Sequence, residues 1–256
     1  MPDFSPRPPR KTLFKPELKR RGIYVLPNLF TTAALFAGFY AIVQAMETRF
    51  EVAAMAIFVA MIFDGLDGRV ARLTHTQSAF GAEYDSLADM VSFGVAPALV
   101  IYEWALSDLG RMGWVAAFIY CAAAALRLAR FNTTIGLIDK RFFQGLPSPA
   151  AAALVAGTVW VFAGSESFLT DGKLFAWFIT FVAGLSMISN VYFYSFKTIN
   201  LKKSVPFFCI VLFALVFALV SLSPEIALFA FFMCYAASGY LYWLWCFCKK
   251  QRGKRQ

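Results

Sequence analysis

Four aspartates lie close together in an otherwise strongly apolar chain, and their spacing suits them to chemistry. Asp64, Asp67, Gly68 and Ala71 fall at i, i+3, i+4 and i+7, one stripe of a helix. Gly81, Asp85 and Asp89 fall at i, i+4 and i+8, one stripe of the next. Two helices are therefore expected to aim their acids at a common point. Ionisable groups inside a membrane span are costly and mark a functional site by default. Carboxylates that repel one another stay ionised together only if cations lie between them. A hard divalent cation with oxygen ligands, Mg2+ or Mn2+, meets that need, and two ions bridge such a cluster best. The other reading of the same residues is a set of acids lining an ion or proton path in a transporter.

The elements that must position these acids are membrane helices. Hydrophobic residues make up 60% of the 256, and the mean hydropathy is +0.63, which excludes a set of soluble domains. Eight apolar runs, near 28–46, 52–73, 82–106, 112–131, 149–165, 173–194, 205–222 and 225–247, each approach the ~20 residues that cross a bilayer as helix. The expected fold is an all-α, polytopic membrane bundle of eight transmembrane helices. Of the 24 Lys and Arg, 21 fall on one side of that topology; only Arg49, Arg111 and Lys173 fall on the other. Because cytoplasmic loops carry the excess, both termini and the acid cluster are expected at the cytoplasmic face.

The net charge of +9 comes from short basic clusters between spans. That distribution suits anionic lipid and argues against nucleic acid. Cys121, Cys209, Cys234, Cys246 and Cys248 are scattered through apolar segments without zinc spacing. Residues 1–22 read as a basic juxtamembrane tail ending in an interfacial helix, with no cleaved secretory signal. Pro27 is expected just before the first helix with Asn28 as its N-cap, and Pro97 is expected to kink the third span beyond Asp89. Pro147, Pro149, Pro206 and Pro224 mark later helix starts. The lone His75 reads as a solvated loop residue.

The pattern D-x-x-D-G-x-x-A-R-x8-G-x3-D-x3-D, from Asp64 to Asp89, resembles the signature of the CDP-alcohol phosphatidyltransferases, with every fixed position present. The resemblance covers about residues 23–195. It implies a six-helix core there, while the two apolar runs within 196–248 and the basic tail at 249–256 lie outside the signature. It also implies transfer of a phosphatidyl group from CDP-diacylglycerol to an alcohol. By this resemblance Asp64, Asp67 and Asp85 are metal ligands, and Asp89 is both a ligand and the proton acceptor. The donor meets Gly68, Ala71, Arg72, Ser78 and Gly81, together with Asn28, Leu29, Phe30 and Thr31 of the first span. Homodimers are usual in the family. Small residues at 68, 71 and 81 would let a nucleotide approach the backbone, or else let helices pack closely.

The acceptor is harder to read. Arg127 and Arg130, with Lys140 and Arg141 in the next loop, offer cations to a carboxylate, but a phosphorylated acceptor would gain as much. The segments Asn28–Val43, Leu126–Asn132 and Phe143–Ala150 look like the bacterial phosphatidylserine synthase branch of that family. That implies L-serine as acceptor and a bacterial cytoplasmic membrane location. Arg127, Arg130, Asn132, Gln144 and Ser148 are then the polar candidates for the acceptor pocket.

Overall fold

The computed structural model describes residues 16–74, 78–134, 142–165, 172–194 and 221–252. Most of the seventh apolar run, His75, Lys140 and Arg141 lie outside the described residues. Seven helices are described: α1 Pro16–Met46, α2 Phe50–Leu73, α3 Ala79–Leu109, α4 Arg111–Thr134, α5 Ser148–Phe162, α6 Lys173–Ile188 and α7 Pro224–Arg252. Among the described residues, four stretches are long and apolar enough to cross a membrane: Pro27–Met46, Ala79–Leu109, Arg111–Thr133 and Pro224–Trp245. α5 and α6 are shorter apolar helices. α2 has the length, at 24 residues, but carries Asp64, Asp67, Arg69 and Arg72 in its last turns. Large apolar side chains such as Phe36, Phe39, Phe118 and Phe178 face outward. Such a surface suits lipid rather than water, and the protein is an integral membrane protein.

Alanine dominates the interior. Ala37, Ala41 and Ala45 recur every four residues on α1, and with Ala53, Ala56 and Ala60 of α2 they join the buried core. α1 and α2 pack along one another as a hairpin. Small side chains bring backbones close, and in lipid that dispersion contact replaces the hydrophobic drive of soluble cores. The same device recurs where α6 crosses α4: a Cβ at Gly184 would sit 3.0 Å from Tyr120 Cα.

Three features differ from the sequence expectations. α1 starts at Pro16, so Pro27 and Asn28 lie inside a helix and Asn28 is not its N-cap. The helix-forming run Glu17 to Arg21 extends the helix ahead of the proline, which is tolerated at a membrane helix interior when other groups satisfy the freed carbonyl. Next, α3 is not α-helical throughout around Pro97. It is α-helical over Ala79–Asp89, widens to π geometry at Met90–Val95, returns to α at Ala96–Ile101, and widens again at Tyr102–Leu106.

Finally, among the described residues the helical bundle carries one short ribbon: β1 (Phe142–Gln144) pairs antiparallel with β2 (Tyr192–Tyr194). Aromatic residues favour strands there. Gly145 turns the chain at φ +80°, where a Cβ would run into the Met187 carbonyl. The ribbon ties the entry of α5 to the exit of α6. α7 leans on it, with the Phe193 ring filling the space beside Gly239 and packing on Tyr235 and Tyr240.

Candidate active site

The acids converge where the end of α2 meets the start of α3. Thr74 closes α2, its hydroxyl donating to the Val70 carbonyl at 2.8 Å. Ser78 opens α3 as its N-cap, its Oγ accepting from the Gly81 N–H at 3.0 Å. This places two carboxylates on each of α2 and α3, near the ends at which the two helices meet. Asp64, Asp67 and Asp85 each bring an oxygen within 4.8 Å of the others. Asp85 lies against Asp67, and Asp89 lies against Asp64, one helical turn deeper. Asp89 stands outside the group of three and within electrostatic reach of Arg127.

The most buried of the four is Asp67, at 6% exposure. Thr31 of α1, at 3%, donates its hydroxyl to Asp67 Oδ2 at 2.6 Å. α1 also reaches α3 through Thr32 Oγ1 and the Tyr84 hydroxyl, 2.9 Å apart, and Asn28 Oδ1 would lie 3.4 Å from a Cβ at Gly81. Three carboxylates this close stay ionised together only with a cation between them, and an all-oxygen donor set suits a hard divalent ion rather than a soft one. The residues present therefore fit a divalent metal.

The other sequence candidates divide into two groups. Thr31, Asn28, Ser78 and Gly81 border the cluster as described. Phe30 packs its ring 6.5 Å from Phe63, and Leu29 points outward at 61% exposure. Ala71 is half-buried and Arg72 is exposed at the last turn of α2. A Cβ at Gly68 would meet nothing within 4 Å among the described residues, so none of the described helices requires glycine there.

Among the acceptor candidates, Arg127 and Ser148 come together, Arg127 Nη1 donating to the buried Ser148 Oγ at 2.6 Å. Arg130 instead donates to the Ile188 carbonyl at 3.1 Å, at the end of α6. Asn132 Nδ2 donates to Ser86 Oγ at 3.0 Å, and Gln144 Nε2 to Asn190 Oδ1 at 2.8 Å. Ser86 and Asn190 carry no pattern in the sequence that would single them out. Tyr235 of α7 also comes within electrostatic reach of Arg127, so a helix beyond the signature approaches the site.

The family model for CDP-alcohol phosphatidyltransferases matches residues 24–188, more than half of the chain. The chain belongs to the CDP-alcohol phosphatidyltransferase family. It is thus a membrane transferase of phospholipid synthesis that moves a phosphatidyl group from a CDP-linked lipid. The CDP-diacylglycerol–serine O-phosphatidyltransferase of Helicobacter pylori is 38% identical over 224 residues, 87% of this chain and 92% of the relative. The one of Mycobacterium tuberculosis is 42% identical over 178 residues, 66% of this chain and 60% of the relative. That of Methanocaldococcus jannaschii is 44% identical over 135 residues, 53% of this chain and 60% of the relative. The matched span encloses all four acids and the helices that carry them.

Proposed function

We propose that this phosphatidyltransferase uses L-serine as acceptor and CDP-diacylglycerol as donor, giving phosphatidylserine and CMP. The names of its relatives support that reading, and the observation that carries it is the pairing of Arg127 with Ser148 beside Asp89. A serine molecule has a hydroxyl that must lose a proton and a carboxylate that needs a cation. Asp89 and Arg127 offer the two partners on neighbouring helices. The buried Ser148 hydroxyl fixes the guanidinium fork, which favours a planar carboxylate.

In this mechanism Asp64, Asp67 and Asp85, with Asp89 at the edge, would hold the metal, read as two Mg2+ or Mn2+ ions. When bound, the ions supply charge neutralisation for the donor pyrophosphate and its departing CMP. Asp89 accepts the proton from the serine hydroxyl as that oxygen bonds to the phosphatidyl phosphorus, and the bond from phosphorus to the CMP oxygen breaks. The open space at Gly68, with Arg72 a turn beyond, receives the nucleotide end. Asn28, Thr31, Ala71, Ser78 and Gly81 line the approach, and Leu29 and Phe30 continue the first-span segment along the acyl side. The acyl chains stay in lipid.

The same reading has eight spans, both termini and the site at the cytoplasmic face of a bacterial inner membrane, and a homodimer. Its core is residues 23–195, with the helices of 196–248 as an addition to it. The test is CMP release by the purified protein from CDP-diacylglycerol with serine, glycerol-3-phosphate or inositol phosphate, each with and without EDTA. Serine-dependent, EDTA-sensitive release with phosphatidylserine as product is expected. Release only with a phosphorylated acceptor would overturn the assignment.

A further inference from the structure

Asp89 is followed at once by the π-segment Met90–Val95 and, after Ala96, by Pro97. A proline has no N–H, so the Phe93 carbonyl four residues back has no α-helical donor. Tyr120, fully buried on α4, donates its hydroxyl to that carbonyl at 3.0 Å. Ser92, the residue before, donates its Oγ to the Ala34 carbonyl of α1 at 3.0 Å. Gly38 makes that approach possible, since a Cβ there would come within 2.6 Å of Ser92 Oγ. Two successive residues of the wide segment are thus clamped from two different helices.

A π-turn closes i→i+5 where an α-turn closes i→i+4, so it holds one extra residue, and each residue turns an α-helix by about 100°. Phe93, Ala96 and Val100 are anchored in the core. If the segment relaxed to α geometry, the preceding turns, with Asp85 and Asp89, would swing by about that angle away from Asp64 and Asp67.

We propose that Tyr120 is a positioning residue for the reaction: by taking the carbonyl that Pro97 leaves without a donor, it keeps the π-segment and so aims Asp85 and Asp89 at α2. The inference rests on the reading of those two aspartates as site residues. On this reading Tyr120 acts through the register of α3 and not by contact with substrate or metal.

The test uses the full chain purified in detergent and three readouts: kcat, Mn2+ affinity from the EPR signal of free Mn2+, and Tm. Tyr120→Phe is expected to lower kcat and weaken Mn2+ binding, each by about tenfold, the scale of losing a supporting contact behind a metal ligand. The double variant Tyr120→Phe/Pro97→Ala returns an N–H at position 97 for the Phe93 carbonyl. It is expected to regain Tm while keeping both defects, because the α ladder can now close through residue 97. If Tyr120 only satisfied a buried carbonyl, the double variant would recover all three, and that result would overturn the proposal. So would wild-type kcat and Mn2+ affinity in Tyr120→Phe. Should the single variant fail to fold, the double variant decides alone. Loss of CMP release by Asp89→Asn in the same assay keeps the catalytic reading fixed, so a normal Tyr120→Phe removes the positioning role alone.

Discussion

Replacing Thr31 by valine removes one hydroxyl and leaves the shape of the side chain nearly intact. That hydroxyl donates to Asp67 Oδ2 at 2.6 Å between two residues at 3% and 6% exposure, where water cannot take its place. A hydrogen bond to a charged group is worth about 1.5–3 kcal/mol. At about 1.4 kcal/mol per factor of ten, its loss amounts to roughly ten- to a hundredfold in an equilibrium constant. Since the bond fixes the Asp67 carboxylate, which brings an oxygen within 4.8 Å of those of Asp64 and Asp85, the loss should appear in metal affinity. The expected outcome is a rise of that size in the Mn2+ concentration giving half-maximal CMP release, matched by EPR-detected Mn2+ binding. Thr31→Ser, which keeps the hydroxyl, should stay close to wild type. A valine variant that binds Mn2+ within about twofold of wild type would refute the claim that Thr31 orients a metal ligand.

Asp89→Asn removes the proton acceptor and should abolish turnover while CDP-diacylglycerol binding, measured by protection in a thermal-shift assay, persists; an active variant would remove Asp89 as the base. Gly68→Ala should raise Tm, because alanine is the better helix former by about 1 kcal/mol and a Cβ meets nothing within 4 Å. It should also raise the KM for CDP-diacylglycerol, and an unchanged KM would show that the open space is not used by the donor. Arg127→Ala should raise the KM for serine more than that for CDP-diacylglycerol, whereas Arg130→Ala, which loses a bond to the Ile188 carbonyl, should lower Tm with a smaller change in serine KM. The reverse ranking would exchange the roles of the two arginines.

The local periodicity of the chain was enough to place the acids. Helical spacing alone puts Asp64 and Asp67 on one stripe and Asp85 and Asp89 on another, and a short connection between two apolar runs leaves them few ways to meet. The membrane class, the helical bundle and the family likewise follow from composition and one motif, because an apolar helix in lipid is dictated by its own residues. The tertiary structure decided what depends on partners distant in the chain. Thr31 reaches across 36 residues to Asp67, and Tyr120 across 27 to Phe93. Arg127 finds Ser148, while Arg130, three residues on, is drawn to the end of α6. The π-segment shows the limit most clearly. Pro97 in the sequence announces a lost hydrogen bond, but the hydroxyl that reaches the Phe93 carbonyl belongs to Tyr120 of α4, and only packing brings it there.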